Sequence, residues 1–219
     1  MPATELLLAT GNPGKRAEFR SLFGGLRLQW LDPDPSLPEC PEPHGTFVEN
    51  ALAKARDASR HSGRPALADD SGLCVQALGG APGVRSARYA QREVQGPGDG
   101  DSRARQDAAN NRLLLQRLQG EGDRRAHFVC VLVALRDPDD PEPLVAHGWL
   151  HGHIAAAAQG QGGFGYDPLF VLPQQGLTLG QLDAEQKNRI SHRARAAGQM
   201  VQLLQAFWGV SPTAGQQSL

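Results

Sequence analysis

The chain has 219 residues, and its 22 Lys and Arg residues nearly balance its 23 Asp and Glu residues, for a formal net charge of −1. This balance argues against a protein that binds nucleic acid or a membrane surface through its overall charge. The three cysteines form neither a disulfide framework nor a CxxC metal motif, as is typical of a cytoplasmic protein. Because no apolar segment approaches about 18 residues, we expect neither a membrane span nor a secretion signal.

The first third of the chain predicts alternating strands and helices. An apolar run at Glu5–Thr10 is typical of a buried strand, and Asn12 and Pro13 are favoured in the first turn of a following helix. Alternating apolar residues at Leu26–Leu31 predict a second strand. The strongest helix signal lies at Thr46–Ser62, where a capping box begins the segment and a glycine follows it.

The rest of the chain predicts further strands, among them a long antiparallel hairpin. Strands are expected at Pro65–Ala68, Leu73–Leu78, Ala126–Arg136, Leu144–Ile154 and Pro168–Leu172, and helices at Gln106–Leu118 and within 183–207. Residues 91–103 have the composition of a mobile surface loop. The order of elements predicts an α/β fold with a mixed sheet, in one domain over residues 1–210 that is followed by a flexible tail over 211–219.

The segment Thr10–Lys15 is the first candidate site. It joins a strand to a helix, and its glycines would let a phosphate approach the N–H groups of the first helical turn. Lys15 lies in that turn, where a cation opposes the helix dipole unless an anion is near. The spacing is not that of a Walker A loop, and an ordinary capped turn explains the same residues. The residues alone leave both interpretations open.

The run Asp69-Asp70-Ser71-Gly72 is the second candidate. Adjacent carboxylates beside a hydroxyl at the end of a strand offer the oxygen ligands that Mg²⁺ prefers. One of these carboxylates could also accept a proton from an attacking water molecule. A solvated, Asp-rich turn has the same composition, so a structural interpretation stands beside the catalytic one.

Two polar residues lie on the stripe of the predicted helix at 46–62 that should face inward. Asn50 and Lys54 share this stripe with Phe47, Ala51 and Ala58. Lys54 either extends along the edge of the core to reach water or projects into a cleft and meets an anion. The sequence favours neither interpretation.

A glycine-rich segment at 160–165 matches the letters of GxGxxG, but no helix pattern follows it, so we do not expect a dinucleotide-binding turn. The loop could instead present Phe164 and Tyr166 for stacking with a base, with Asp167 beside them. Further along, Lys187 and the pair at 192–193 place cations around the start of the last helix. They form either a solvated helix face or a group that binds an anion.

Three histidines share one face of the predicted strand at 144–154, namely His147, His151 and His153. No cysteine or carboxylate lies at a matching spacing, so an exposed sheet face is favoured over a zinc site. The other candidates all fall near the ends of predicted elements. Together they are the groups needed to bind a nucleoside triphosphate with Mg²⁺, in an enzyme or in a nucleotide sensor.

Five segments resemble, in the same order, those of the inosine triphosphate pyrophosphatase family, whose members cleave dITP and XTP. They are LLLATGNPGK, FVENALAKAR, ALADDSGLCVQALGGAPGVRSARYA, GGFGYDPLF and QKNRISHRARA. The resemblance extends from about Leu6 to Phe207. It implies an elongated mixed sheet with helices packed in two lobes around a central nucleotide-binding cleft. It also implies a cytoplasmic homodimer whose partner is a small purine nucleoside triphosphate.

The resemblance further assigns roles to residues. Asp70 would be the general base and a Mg²⁺ ligand, with Asp69 beside it, and Glu42 would be the second metal ligand, although Glu39 lies in the same loop. The substrate-binding residues would be Thr10, Gly11, Asn12, Pro13, Gly14, Lys15, Lys54 and Ser71 for the triphosphate, Phe164, Gly165, Tyr166 and Asp167 for the base and sugar, and Lys187, His192 and Arg193 for the keto edge of the purine.

The implied reaction is the Mg²⁺-dependent hydrolysis of ITP, dITP or XTP to the monophosphate and pyrophosphate, which would remove these nucleotides from the cellular pool. Two alternatives remain at this point. One is a sensor that binds the nucleotide without turnover, and the other is an enzyme of related shape that acts on modified pyrimidine triphosphates.

Overall fold

The computed structural model describes residues 3–36, 40–91 and 102–213. Its strands and helices, in chain order, are β1 (Thr4–Leu8), α1 (Pro13–Leu22), β2 (Leu28–Leu31), α2 (Phe47–Ser62), β3 (Ala66–Val75), α3 (Ser102–Arg117), β4 (Arg125–Leu135), β5 (Leu144–Ile154), β6 (Phe170–Val171), α4 (Ala184–Ile190) and α5 (His192–Trp208). Short 3-10 turns lie at Gln76–Leu78, Gly83–Arg88 and Leu179–Gln181. None of the described helices is long and apolar enough to cross a membrane.

The described strands form one mixed sheet in the order β2-β1-β3-β4-β5-β6. Strand β1 is parallel to both β2 and β3, and β5 is antiparallel to β6. The N–H group of Ile154 at the end of β5 donates to the carbonyl of Arg124, just before β4, at 2.9 Å. The predicted hairpin of β4 and β5 and the predicted mixed α/β sheet are therefore confirmed.

The chain divides into two compact units, each with its own hydrophobic core. The first unit comprises Met1–Asp70, Cys130–Gly148 and His192–Leu219, and the second comprises Ser71–Val129 and Trp149–Ser191. The core of the first unit includes Leu6, Leu8, Phe19, Leu132, Met200 and Leu204. The core of the second unit includes Leu73, Leu114, Phe128, Leu169 and Phe170.

Helix α2 begins and ends where the sequence predicts. The hydroxyl of Thr46 accepts a hydrogen bond from the N–H group of Glu49 at 3.3 Å, which caps the first turn. Gly63 follows the helix with a φ of 64°, a left-handed conformation that glycine adopts without a steric penalty. These two signals fix the length of α2, and with it the position of the polar residues on its inward face.

The prediction for β3 is wrong in one respect that matters for the site. Two short strands with a turn between them were expected at Pro65–Ala68 and Leu73–Leu78, but Ala66–Val75 is one continuous strand. Aspartate is disfavoured in strands, and that preference is overridden here because Asp69 and Asp70 both have hydrogen-bond partners on helices. The two carboxylates therefore lie inside a strand and not in a turn.

One predicted segment end is wrong, and two other predicted segments lie mostly outside the described residues. The last strand is only Phe170–Val171, shorter than the predicted Pro168–Leu172. Most of the predicted mobile loop at 91–103 lies outside the described residues, and so do residues 214–219 of the predicted tail. At the start of that segment, the N–H group of Arg27 donates to the carbonyl of Ser211 at 2.9 Å.

Gly148 in β5 gives a direct test of how closely this strand packs on α5. A Cβ atom at Gly148 would lie 2.1 Å from the carbonyl oxygen of His192 and 2.5 Å from the nitrogen of Ala196. We therefore expect Gly148→Ala to lower the free energy of unfolding by about 3 kcal/mol, since overpacking forces backbone shifts. Gly198 of α5 has open space around it, so Gly198→Ala should be neutral or stabilising. Urea denaturation measures both, and equal effects would contradict the packing described.

Candidate functional site

In the turn between β1 and α1, the side chain of Asn12 caps the N-terminus of α1. The side-chain oxygen of Asn12 accepts hydrogen bonds from the N–H groups of Gly14 at 2.9 Å and of Lys15 at 3.2 Å. These two groups, which the sequence offered as phosphate donors, are thus already bonded. The charged end of Lys15 is directed elsewhere, since its Nζ donates to Asp69 Oδ2 at 2.7 Å.

Asp69 and Asp70 contact different helices because they are consecutive residues of a strand. Consecutive side chains of a strand point to opposite faces. Asp69 pairs with Lys15 of α1, whereas Asp70 Oδ2 accepts a hydrogen bond from Asn50 Nδ2 of α2 at 3.1 Å. The Asp69 side chain is 1% exposed and that of Asp70 is 7% exposed, so both carboxylates are removed from bulk water.

Lys54 lies among carboxylates. Its Nζ is 2.8 Å from Glu42 Oε1 and 3.7 Å from Asp70 Oδ1, and its side chain is only 15% exposed. Burial would lower the pKa of Lys54, but the charges of Asp69, Asp70 and Glu42 outweigh burial and raise it. The lysine therefore carries its charge inside the first unit, and the interpretation that it extends to solvent does not describe its position.

The two aspartates differ in their electrostatics. Burial raises the pKa of Asp70 to about 6; Glu42 and Asp69 add to this shift, while Lys54 and the hydrogen bond from Asn50 oppose it. For Asp69, the charges of Lys15, Lys54 and Arg193 outweigh burial and hold its pKa well below the usual range. Asp69 is thus a fixed anion, and Asp70 is the carboxylate whose proton affinity lies nearer to neutral pH.

A divalent cation suits this set of oxygen donors. Mg²⁺ binds through one or two carboxylates and keeps several water molecules, so it does not need an enclosing group of protein ligands. Asp70 and Glu42 share Lys54 as a neighbour and repel each other electrostatically, which a cation would relieve. Within the described ranges, no group of three or more His, Cys, Asp or Glu side chains is arranged to hold a metal ion. Glu39, the alternative ligand, lies outside those ranges.

The glycine-rich loop belongs to the second unit and is built around Asp167. Its Oδ2 accepts hydrogen bonds from the N–H group of Phe164 at 2.8 Å and from Lys187 Nζ at 2.5 Å. Gly163 has a φ of 75°, and a Cβ atom there would lie 2.1 Å from Asp167 Oδ2. Lys187 is also 4.5 Å from the centre of the Phe164 ring. A half-buried aromatic face and a buried ammonium group are therefore held side by side.

Tyr166 has a structural position in this loop. Its ring is part of the core of the second unit, and its hydroxyl donates to the carbonyl of Ser86 at 2.8 Å. Burial raises the pKa of this hydroxyl far above its usual value. The neighbouring Gly165 is held at both ends by α3, because its N–H group donates to Asp107 and its carbonyl accepts from Asn111, each at 2.8 Å.

The remaining predicted residues belong to β3, α4 and α5. Ser71 directly follows Asp70 in β3 and is half-buried. His192 and Arg193 begin α5 in the first unit and are buried, whereas Lys187 belongs to the second unit. Arg193 donates to Glu18 of α1 at 3.3 Å. Thus Arg193 contributes to the charge balance around Asp69 besides any contact with a ligand.

Sequence reasoning did not identify Glu18, Asp107 and Asn111 as parts of this network, since single polar residues on helices carry no motif. It noted Asn50 only as a polar residue on an inward stripe. Of the three histidines of β5, His151 has an exposed side chain, and the centre of its ring lies 5.5 Å from that of His127 across the hairpin.

The chain is similar to proteins of one family over most of its length. The model of the Ham1 family matches residues 6–203. A dITP/XTP pyrophosphatase from Bordetella pertussis is 57% identical over 203 residues, 92% of this chain and 91% of that protein. One from Ralstonia nicotianae is 54% identical over 204 residues, 92% of this chain and 97% of that protein. A solved HAM1 protein from Coxiella burnetii is 41% identical with a TM-score of 0.81, covering 92% of this chain and 98% of that one.

The pair of Lys15 and Asp69 predicts a pH-dependent stability. The pKa of Asp69 is lower in the folded state than in the unfolded state, where it is about 4. The pair therefore adds to the free energy of unfolding above pH 4, and this contribution is lost as the pH falls below 4 toward the folded-state pKa. Asp69→Asn should lower the free energy of unfolding by about 3 kcal/mol at pH 7, since removing one partner leaves a buried charge. The difference from the wild type should shrink below pH 4.

Urea denaturation between pH 7 and pH 3 measures this difference. Asp32→Asn is the matched control, because Asp32 is an exposed carboxylate 2.8 Å from Arg20 and a surface pair contributes little. A deficit of Asp69→Asn that stays constant down to pH 3, or that equals the deficit of the control, would refute the account of this pair.

Proposed function

The chain belongs to the Ham1 family, and we propose that it is a nucleoside triphosphate pyrophosphatase that hydrolyses dITP and XTP, the nucleotides in its relatives' names. The proposal includes ITP as a substrate and the removal of these nucleotides from the cellular pool. One observation carries it: two adjacent, buried aspartates each meet a polar group of a different helix, and lysines accompany both. Such a cluster has the charges that a metal-bound triphosphate requires.

The proposed reaction converts a nucleoside triphosphate and water into the monophosphate and pyrophosphate. Asp70 takes a proton from the water, whose oxygen forms a bond to the α-phosphorus. The bond between this phosphorus and the bridging oxygen breaks, and that oxygen leaves with pyrophosphate. The pKa of Asp70, raised by burial to about 6, keeps the group ionised at neutral pH and basic enough to accept the proton.

Asp70 and Glu42 would hold a divalent ion, for which we propose Mg²⁺. When bound, the ion offsets negative charge on the phosphate oxygens as the leaving group departs. Lys15 and Lys54 would contact the phosphates, since neither side chain is fully buried and a phosphate could compete with the carboxylate that each lysine contacts. The residues from Thr10 to Gly14 would contact the triphosphate through backbone and hydroxyl groups, and Ser71 would contact it from β3.

For the base, we propose Phe164 as the stacking surface and Lys187 as a hydrogen-bond donor. An ammonium group has three N–H donors, and Asp167 takes only one of those of Lys187. A 6-keto purine presents an acceptor at O6, whereas adenine presents a donor there, so a fixed ammonium rejects adenine. Gly165, Tyr166 and Asp167 would shape this loop, and the last helix would add His192 and Arg193 as further donors.

Two parts of the proposal rest on the resemblance alone. The functional form would be a homodimer, and the site of action would be the cytoplasm, where nucleotide pools turn over. Light scattering of the purified protein determines the first, and fractionation of cells that express the tagged chain determines the second.

The substrate experiment tests the proposed function directly. The wild type should release pyrophosphate from dITP, XTP and ITP in the presence of Mg²⁺, with little release from ATP, GTP or modified pyrimidine triphosphates. Asp70→Asn should lower kcat at least about a hundredfold, the usual contribution of a general base. Asp123→Asn, at an exposed carboxylate paired with Arg125, is the matched control and should leave kcat unchanged.

Three results would contradict the proposal: binding of XTP without turnover, a preference for a modified pyrimidine triphosphate, or a kcat for Asp70→Asn near that of the wild type. The first would indicate a sensor, the second a different substrate class, and the third a different base. Circular dichroism shows whether the variant has kept its fold.

The proposed role of Lys187 predicts that its substitution weakens the preference for XTP over ATP. Lys187→Gln should lower the ratio of kcat/KM for XTP to that for ATP by about tenfold or more, because the donor to the keto oxygen is lost. Arg189→Gln removes a charge from the exposed side of the same helix and is the control. If both variants retain the wild-type ratio, or if Lys187→Gln loses activity equally toward both nucleotides, Lys187 does not read the base.

A further inference from the structure

Asn50 is a fully buried amide whose hydrogen bonds connect two parts of the first unit. Its Nδ2 donates to Asp70 Oδ2 at 3.1 Å and to the carbonyl of His44 at 3.3 Å. Its Oδ1 accepts a hydrogen bond from the N–H group of His44 at 3.0 Å. Both N–H donors of the side chain and its carbonyl oxygen are therefore used in fixed directions.

An asparagine is an unusual choice for this position. On the inward side of α2, Ala51 and Ala55 are fully buried, and Ser59 is the other buried polar residue of the helix. A buried amide is tolerated only when its polar atoms are satisfied, and an apolar residue would fill the same space without that requirement. The cap of α2 does not need Asn50 either, because Thr46 already supplies it. Neither the cap nor the apolar packing of α2 therefore requires an amide here.

The partners of Asn50 give the reason. His44 lies two residues after Glu42 in the loop that precedes α2, and both backbone polar groups of His44 bond to the same side chain. Asp70 lies on β3. One rigid amide therefore fixes the loop that carries Glu42 and, with its second N–H group, the orientation of the Asp70 carboxylate.

We propose that Asn50 is a positioning residue that fixes the orientation of the two proposed metal-binding acids, Asp70 and Glu42, relative to each other. The inference rests on the proposed function, because it takes the roles of these two acids from there. Asn50 itself touches neither substrate nor metal. Its contribution is to keep one oxygen of Asp70 engaged, so that the other oxygen and Glu42 face the reacting groups together.

Removing the amide without adding charge isolates this role. In Asn50→Leu the volume is nearly kept, but Asp70 and His44 lose their hydrogen bonds to the amide. We expect the Mg²⁺ concentration for half-maximal activity to rise and kcat to fall, each by about tenfold or more, as is typical when groups that orient metal ligands are removed. KM for XTP at saturating Mg²⁺ should change less than threefold, since the base-binding residues are untouched.

Asn110 of α3 provides a matched control in the second unit. It is buried as well, its Oδ1 accepts from the N–H group of Ala90 at 2.8 Å, and its Nδ2 donates to the carbonyl of Ala87 at 3.1 Å. Asn110→Leu therefore breaks the same kinds of bond away from the acids. It should lower Tm to a similar extent as Asn50→Leu and leave the half-saturating Mg²⁺ concentration at the wild-type value.

Binding of Mn²⁺ to the protein without nucleotide supplies a readout that does not depend on turnover. Electron paramagnetic resonance counts the free ion, and we expect a weaker affinity in Asn50→Leu than in the wild type and in Asn110→Leu. If Asn50→Leu does not fold, Asn50→Ser, whose hydroxyl is too short to span both partners, should show the same change.

Equal Mn²⁺ affinity and equal Mg²⁺ dependence in the wild type and the Asn50 variants would overturn the inference, even if those variants are less stable. A wild type that does not hydrolyse any purine triphosphate would overturn the proposed function instead. In that case the Mn²⁺ titration alone decides the role of Asn50, and unchanged affinity contradicts it.

Discussion

The structure of the first unit depends on one constraint: two neighbouring carboxylates are buried in the middle of a strand. A carboxylate removed from water is strongly unfavourable unless a cation or hydrogen-bond donors meet it. Because Asp69 and Asp70 point to opposite faces of β3, one partner alone could not satisfy both. Lys15 of α1 meets the first, and Asn50 and Lys54 of α2 meet the second. These contacts connect α1 and α2 to β3.

The same arrangement separates two roles. Asp69 is held as a permanent anion by cations around it, and it anchors Lys15 where a phosphate could compete for the ammonium group. Asp70 receives less compensation and has the higher pKa, near 6. A pair of like groups with divergent proton affinities is a common property of sites where one group transfers a proton and the other sets the field. A bound polyanion would compete with these carboxylates for the lysines that they contact.

The sequence predicted the local elements well, for identifiable physical reasons. Thr46 and Gly63 define α2 because a cap and a left-handed residue are local signals, and Asn12 likewise marks the start of α1. The continuous strand β3 was missed because its two aspartates look like a turn until their partners from other parts of the chain are known. The same limit applies to Asn50, whose hydrogen bond to Asp70 joins α2 to a strand that only folding brings near.

The candidate site was predicted in composition more than in geometry. The resemblance named Lys54, but its contacts with Glu42 and Asp70 come from tertiary structure. Tyr166 was expected beside the base, whereas its hydroxyl is bonded to Ser86 inside the core of the second unit. The local sequence around an aromatic residue in a glycine-rich loop is the same whether the residue faces a ligand or the core. Only burial and hydrogen bonding distinguish the two, and neither is local in sequence.

The central claim is that water activated beside Asp70 attacks the α-phosphorus of a purine nucleoside triphosphate. Hydrolysis of XTP in water enriched in ¹⁸O, followed by mass spectrometry of the products, tests it most directly. The account predicts one ¹⁸O atom in the monophosphate and none in the pyrophosphate. Label in the pyrophosphate, or release of inorganic phosphate with a nucleoside diphosphate, would contradict it.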